Sequence, residues 1–247
     1  MFDDAKWSLA KVLERTEWDH GLVTLRVDAT RDFRAGQFTK LGLAVDDVPV
    51  SRAYSIASAP GAPLDFYIVE VDGGALSPSI CALRPGETIW VQRTCAGGFT
   101  LEKVPEGRDI WLIGTGTGLA PYISMLRHGD VFDRFDNIVV VQGARYARQF
   151  GHQPELHRWA DEGRIRWIRT TTREAHPAAL EGRITSLFAA GTLEAEAGLR
   201  MDAEHGHVML CGNPAMIKEM RTMLKEQREM QLHTPRRHGQ VHIERYW

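Results

Sequence analysis

Apolar and polar positions alternate in short stretches over residues 1–100 and gather into apolar runs after residue 109, which predicts two kinds of structure in one chain. Alternating stretches at 7–13, 21–27, 38–45, 53–57, 65–71 and 88–93 read as strands. Turn chemistry separates them, at Thr30-Arg31-Asp32, Ala59-Pro60-Gly61, Asp72-Gly73-Gly74 and Arg84-Pro85-Gly86. Strands of that length and spacing predict a small antiparallel β-barrel. A helix over 77–83 interrupts it, with Pro78 suited to a first helical position. Farther on, apolar runs at 110–113, 138–141, 165–169 and 208–210, and a last short one at 241–243, alternate with helical stretches. That rhythm predicts an α/β doubly wound parallel sheet. The polar link Val104-Pro105-Glu106-Gly107 separates the two textures, so the expected domains are 1–104 and 105–247.

Composition narrows the function classes. A chain of 247 residues suits two domains better than one. Lys plus Arg number 30 against 32 Asp plus Glu, a balance that gives no support to nucleic acid or an anionic membrane as main partner. Met1-Phe2-Asp3-Asp4-Ala5-Lys6 lacks the basic and apolar regions of a leader, and no stretch is apolar for long enough to span a bilayer, so a cytoplasmic protein is expected. Cys81, Cys95 and Cys211 are too few and scattered for a disulfide framework, a zinc site or a four-thiolate cluster. His205-Gly206-His207, after Asp202 and Glu204, reads as a solvated turn, and no metal is expected.

Candidate chemistry begins at Arg52-Ala53-Tyr54-Ser55, where alternation puts Arg52 and Tyr54 on one face and Ser55 on the other. A forked cation for phosphate, a flat ring for stacking and a hydroxyl for a heterocycle edge suit a flavin; alone, they equally suit a strand with polar residues toward water. Gly73-Gly74-Ala75-Leu76-Ser77-Pro78 leads into the predicted helix with amides free to hold an anion, or is a plain turn and cap. Gly114-Thr115-Gly116-Thr117-Gly118-Leu119 follows a strand and opens a helix, as a dinucleotide loop must, although its sixth position is Leu119 rather than glycine. After the second parallel strand, where an acid would hold the ribose of NAD, stands Arg145. With Arg173 and Arg183 at later strand ends it offers guanidinium forks for the extra phosphate of NADP. Cys211-Gly212-Asn213-Pro214 brings a thiol to the same sheet edge, and the helix after it pairs an apolar stripe with Lys218, Arg221, Lys225 and Arg228. That basic side is a solvated face or a docking surface for an acidic protein.

In order, Arg-x-Tyr-Ser, Gly-Gly-x-Leu-Ser, Gly-Thr-Gly-Thr-Gly-x-Ala-Pro and Cys-Gly-Asn-Pro resemble the ferredoxin:NADP reductase family over nearly the whole chain. Ala144-Arg145-Tyr146-Ala147 and the close Glu244-Arg245-Tyr246-Trp247 resemble its bacterial flavodoxin/ferredoxin reductases, while Gly116-Thr117-Gly118-Leu119-Ala120 departs toward the plastid-type wording. The resemblance implies an FAD-binding barrel and an NADP-binding domain whose C-terminal residues return to the flavin. It implies hydride transfer from NADPH to FAD, then single-electron delivery to flavodoxin or ferredoxin. By the same likeness Tyr54 stacks on the flavin, Ser55 lies near its reactive edge, and Arg52 with Gly74, Ala75, Leu76 and Ser77 holds the pyrophosphate; Ala53 belongs to the same cofactor strand. Thr115 and Cys211 border the nicotinamide, Gly116 beside Thr115 binds cofactor, Tyr246 covers the other flavin face, Trp247 supports the FAD adenine, and Glu244 lies close to the rings. Ser55, Cys211, Glu244 and Tyr246 form the catalytic set so implied. Two further readings stand beside this one: the NADPH-dependent flavin reductase component of an oxygenase system, and a flavin-bearing subunit acting mainly by assembly with a partner enzyme.

Overall fold

The computed structural model describes residues 2–246. Its contacts divide the chain into two compact units, one running up to Leu101 and taking in Ala120–His128, the other comprising Glu102–Leu119 and the residues from Gly129 onward.

The first unit is an antiparallel six-stranded sheet in the order β4-β3-β6-β1-β2-β5, built from β1 (Trp7–Asp19), β2 (Leu22–Val27), β3 (Phe38–Val45), β4 (Val48–Ser55), β5 (Leu64–Val69) and β6 (Thr88–Gln92). A bridge between Ile56 and Phe66 links the end of β4 toward β5 and curls the sheet into a barrel. Alternation buries Ala10, Val12, Leu25, Leu41, Phe66, Ile68, Ile89 and Val91 in one core. β1 is longer than the alternation predicts, because register shifts at Val12/Glu14 and Glu17/Asp19 break the period without ending the strand. β4 sits earlier than expected, since it pairs with β3 from Val45↔Val48 to Phe38↔Ser55 and Ile56 belongs to the bridge. Helix α1 (Ser77–Ala82) buries Ile80 and Cys81 against this core, with proline in its first turn as the sequence implies.

Helix α2 (Ala120–His128) makes its contacts with this barrel although it follows the polar link. Arg127 donates to Asp65 at 2.7 Å and to the Ala57 carbonyl at 3.1 Å, and Ser124 donates to the Ser58 carbonyl at 2.7 Å. Asp65, almost wholly buried, also takes a forked bond from Arg26 at 2.8 and 3.0 Å, so a carboxylate that would be costly to bury alone is paired twice.

The second unit is a parallel sheet ordered β10-β9-β8-β7-β11-β12, from β7 (Asp109–Thr115), β8 (Asn137–Ala144), β9 (Arg166–Thr171), β10 (Leu180–Glu181), β11 (Gly206–Gly212) and β12 (Val241–Arg245). Helices α5 (Ile184–Ala189), α6 (Thr192–Ala197) and α7 (Pro214–Arg228) pack Phe188, Leu193, Ile217, Met220 and Leu224 against Trp111, Val139, Val141, Val208 and Leu210. Elsewhere in this unit α3 (Val131–Arg134) sets Phe132 6.4 Å from Trp159 of α4 (Gln153–Asp161), and α4 brings His157 edge-on to Trp167 at 4.8 Å. β8 follows β7 on one side and β11 adjoins it on the other, so strand order reverses between β7 and β11, where such sheets bind ligands at the strands' carboxyl ends. Among the described residues no helix is long and apolar enough to cross a membrane.

Candidate functional site

In the barrel unit, β4 delivers Arg52 and Ala53 to the exterior, Tyr54 to a half-buried position and Ser55 to a buried one. The Arg52 guanidinium donates to the neighbouring Ser51 carbonyl at 2.8 Å. Tyr54 packs on the core that holds Leu76, Ile80 and Cys81, so the β4 residues and the Gly74–Ser77 turn are brought together as expected from their chemistry. Burial, with the Cys81 thiol nearby, pushes the Tyr54 phenol up to about 12, so the ring is a neutral surface at any physiological pH. The turn is tight: a Cβ on Gly74 would lie 2.8 Å from the Val71 carbonyl oxygen and 3.0 Å from Ser77 Oγ, which itself accepts the Val71 N–H at 2.9 Å. No side chain caps the first turn of α1, which leaves its amides to another acceptor. Exposed cation, neutral ring, buried hydroxyl and uncapped turn fit the pyrophosphate and ring system of a flavin dinucleotide.

In the α/β unit, the loop after β7 and the turn after β11 meet in backbone contact at the reversal of strand order. A Cβ on Gly118 would stand 2.6 Å from the Cys211 carbonyl oxygen, and Gly212, at φ +112°, places its own hydrogen against Thr115. Asn213 N–H donates to Thr115 Oγ1 at 2.9 Å, and Asn213 Oδ1 accepts from Ala215 and Met216 N–H at 2.8 and 3.2 Å, capping α7. Gly116, at φ +55°, faces open space, so the loop's outer side is free for a cofactor backbone.

β12 adds the C-terminal residues to this cluster. Its register sets Glu244 beside Cys211 and Arg245 beside Gly212, and Tyr246 N–H donates to the Gly212 carbonyl at 3.3 Å. The Tyr246 hydroxyl donates to the Thr117 carbonyl at 3.4 Å and interacts with the Cys211 thiol. Burial, then the Glu244 carboxylate, pushes that thiol well above its usual range despite Tyr246 and the Gly212 amide, so Cys211 stays protonated. Thr115, Cys211, Glu244 and Tyr246 therefore converge; Trp247 lies outside the described residues.

The three arginines also gather at strand ends. Arg173 N–H donates to the Arg145 carbonyl at 3.0 Å, joining the loops after β8 and β9. Gly182 N–H donates to the Thr171 carbonyl at 2.7 Å, which sets Arg183 at the start of α5 beside the same edge. All three side chains are exposed. Glu174, which the sequence reading missed, accepts the Ala147 N–H and so ties the Arg145 and Arg173 loops together from below. Its signal, an acid next to Arg173, looks in sequence like a solvated pair.

Two expectations change. Arg228 leaves the basic stripe: its guanidinium forks onto Glu194 at 2.6 and 3.1 Å and is only 15% exposed, because α6 packs against the end of α7. His207 is not part of a solvated turn; Asp202 and His205 form that turn, while His207 enters β11 and is buried.

Known proteins place the chain. Residues 112–222 match the model of the oxidoreductase NAD-binding domain family. The chain is 42% identical to the flavodoxin/ferredoxin–NADP reductase of Escherichia coli (strain K12), over 98% of this chain and 100% of that protein. It is likewise 42% identical to the protein of the same name from Shigella flexneri, with the same coverage. Its fold matches a ferredoxin NADP+ reductase from Neisseria gonorrhoeae with bound FAD and NADP at a TM-score of 0.90 and 28% identity, over 97% of this chain and 98% of that one. By full-length relatedness at this level, the chain belongs to the flavodoxin/ferredoxin–NADP reductase family.

Proposed function

We propose that the chain carries electrons from NADPH, through bound FAD, to a flavodoxin or ferredoxin, with FAD held by residues 1–104 and NADP(H) by 105–247. The observation that carries this reading is the cluster at the β7–β11 reversal, where the Gly-rich loop, Cys211, Glu244 and Tyr246 meet. FAD, when bound, supplies the exchange between a two-electron hydride and single electrons.

The chain's own residues hold, shape and exclude. Arg52 neutralises the FAD pyrophosphate together with the backbone of Gly74, Ala75, Leu76 and Ser77; Ala53 keeps the strand straight between Arg52 and Tyr54. Tyr54 offers the stacking ring, and Ser55 a hydroxyl to the heterocycle edge. Thr115 and Gly116 receive the nicotinamide end of NADP(H), while Arg145, Arg173 and Arg183 bind its 2′-phosphate. Cys211 supplies a neutral wall, and Glu244 sets a carboxylate beside it. Tyr246 closes the site against water. Lys218, Arg221 and Lys225 on α7 form the docking side for an acidic carrier. Three free cysteines suit the reducing cytoplasm.

Extraction of the purified protein tests the first half of this reading: the released cofactor is FAD, one per chain, and Arg52→Ala lowers its retention. Release of FMN, or unchanged FAD retention in Arg52→Ala, contradicts the pyrophosphate role.

A further inference from the structure

Away from the carboxyl ends of the strands of the second sheet, three imidazoles from three separate segments pack together. His207 comes from β11, His242 from β12, and His233 from the segment that follows α7. The His233 and His242 rings stack at 4.5 Å with 25° between their planes, and His207 lies 6.1 Å from His242. Phe135 meets His207 edge-on at 6.3 Å. His207 Nε2 donates to the Glu106 carbonyl at 3.3 Å, while His207 Nδ1, His233 Nδ1 and His242 Nε2 are buried without a hydrogen-bond partner. Among the described residues no three His, Cys, Asp or Glu side chains are set to hold a metal ion, and rings stacked nearly face to face do not converge their nitrogens on one point.

The groups facing this cluster are mostly cations: Arg134 toward His207, and Lys103 and His238 toward His233. Along β12 the same sheet face carries His242 and then, two residues on, Glu244, since His242 pairs with Met209 and Glu244 with Cys211. Among the named strands β12 pairs with β11 alone, and at its start Val241 also bridges Leu232. His233 N–H donates to the Val241 carbonyl at 2.8 Å, and Val241 N–H to the Gln231 carbonyl at 3.0 Å, so the His233 segment is laced to the start of that strand.

We propose that His207, His233 and His242 are positioning residues that form a pH-sensitive clasp on β12, holding Glu244 and Tyr246 at Cys211 while the rings are neutral and releasing the strand when they take up protons. The chemistry that opens it is simple. A charge placed on any of the three rings is desolvated and stands among like charges, and the Glu106 and Gln240 backbone facing His207 and the Gly239 backbone facing His233 offset only part of that cost. Burial, then the neighbouring His233 and His207, holds His242 down at about 3, and burial likewise lowers His207 and His233. The sign follows directly. Released rings protonate near 6.5 and clasped rings do not, so the clasp is fully formed above about pH 6.5 and weakens as pH falls toward the clasped values. Each ring that charges on release raises the released population about tenfold per pH unit in that window.

The proposal rests on the assignment of Tyr246 and Glu244 to the cofactor site only for its catalytic consequence; the clasp itself is read on the strand. Amide hydrogen exchange of the FAD-loaded full chain is followed from pH 5 to 8 and corrected for intrinsic rates, with β2 as internal reference. Protection of residues 241–246 is expected to hold constant above pH 7 and to fall about tenfold or more per unit below 6.5. In His242→Phe, which keeps a stacking ring but cannot charge, the slope drops by about one proton, whereas His205→Gln in the exposed turn keeps the wild-type slope. His233→Phe serves the same purpose should the first variant not fold. A flat wild-type profile, or an unchanged slope in the folded Phe variant, overturns the clasp. NADPH-dependent dye reduction measured in parallel is expected to fall over the same pH window; activity without this dependence, beside an intact protection slope, would leave the clasp standing and overturn the role given to Tyr246 and Glu244.

Discussion

Arg145 sits on an exposed loop whose backbone is fixed by Arg173, and an exposed guanidinium with no packing duty is removed cleanly by truncation. A charge-assisted hydrogen bond to phosphate is worth roughly 1.5–3 kcal/mol, so Arg145→Ala is expected to lower kcat/KM for NADPH by about tenfold or more and to leave NADH use nearly unchanged. Steady-state kinetics with both cofactors checks this; equal losses contradict a 2′-phosphate role. Tyr246 interacts with Thr117 and Cys211, and under the proposed function it is expected to yield to nicotinamide before donor and acceptor come within about 3–3.5 Å. Tyr246→Ser is expected to tighten NADP+ and to raise NADH use relative to NADPH. Titration followed by flavin absorbance reads it, and equal affinity with unchanged NADH activity contradicts the gate. The placement of Arg145 and Tyr246 at strand ends was legible because each follows directly on an apolar strand run. Glu174 was not, since its bond to Ala147 depends on two loops meeting.

At the scale of elements, Gly118 marks where the dinucleotide loop and the end of β11 share backbone contact. A methyl group there would lie 2.6 Å from the Cys211 carbonyl oxygen, and backbone must give way. Gly118→Ala is expected to cost about 1–3 kcal/mol of stability and to raise the KM for NADPH. Thermal melting and kinetics together test it: wild-type values in both would mean that the contact has no consequence. The parallel strands were legible as apolar runs and the barrel strands as alternation. β1 beyond Leu13 was hidden by its bulges, and β10 by being only two residues long. Arg228 was misread because helical spacing shows which side chains share a face but not that Glu194 of another helix is waiting there. The histidine clasp was invisible for the same reason, its members joining only when β12 is added to the sheet edge.

For the whole molecule, the motifs stand in the order β4, the turn before α1, the loop after β7, the turn after β11 and β12, and that order over nearly the full chain is what made the family legible. The basic side of α7, with Lys218, Arg221 and Lys225 but also Glu219 and Glu226, gives the carrier a modest field, so docking there is expected to be sensitive to ionic strength. The central claim is that the chain passes electrons from NADPH to a separate one-electron carrier. Anaerobic mixing of the FAD-loaded protein and excess NADPH with oxidised flavodoxin or ferredoxin, followed by carrier absorbance, tests it most directly. Catalytic, NADPH-dependent carrier reduction that slows as salt rises is the expected result. Rapid flavin reduction with neither carrier reduced beyond the uncatalysed rate would contradict it.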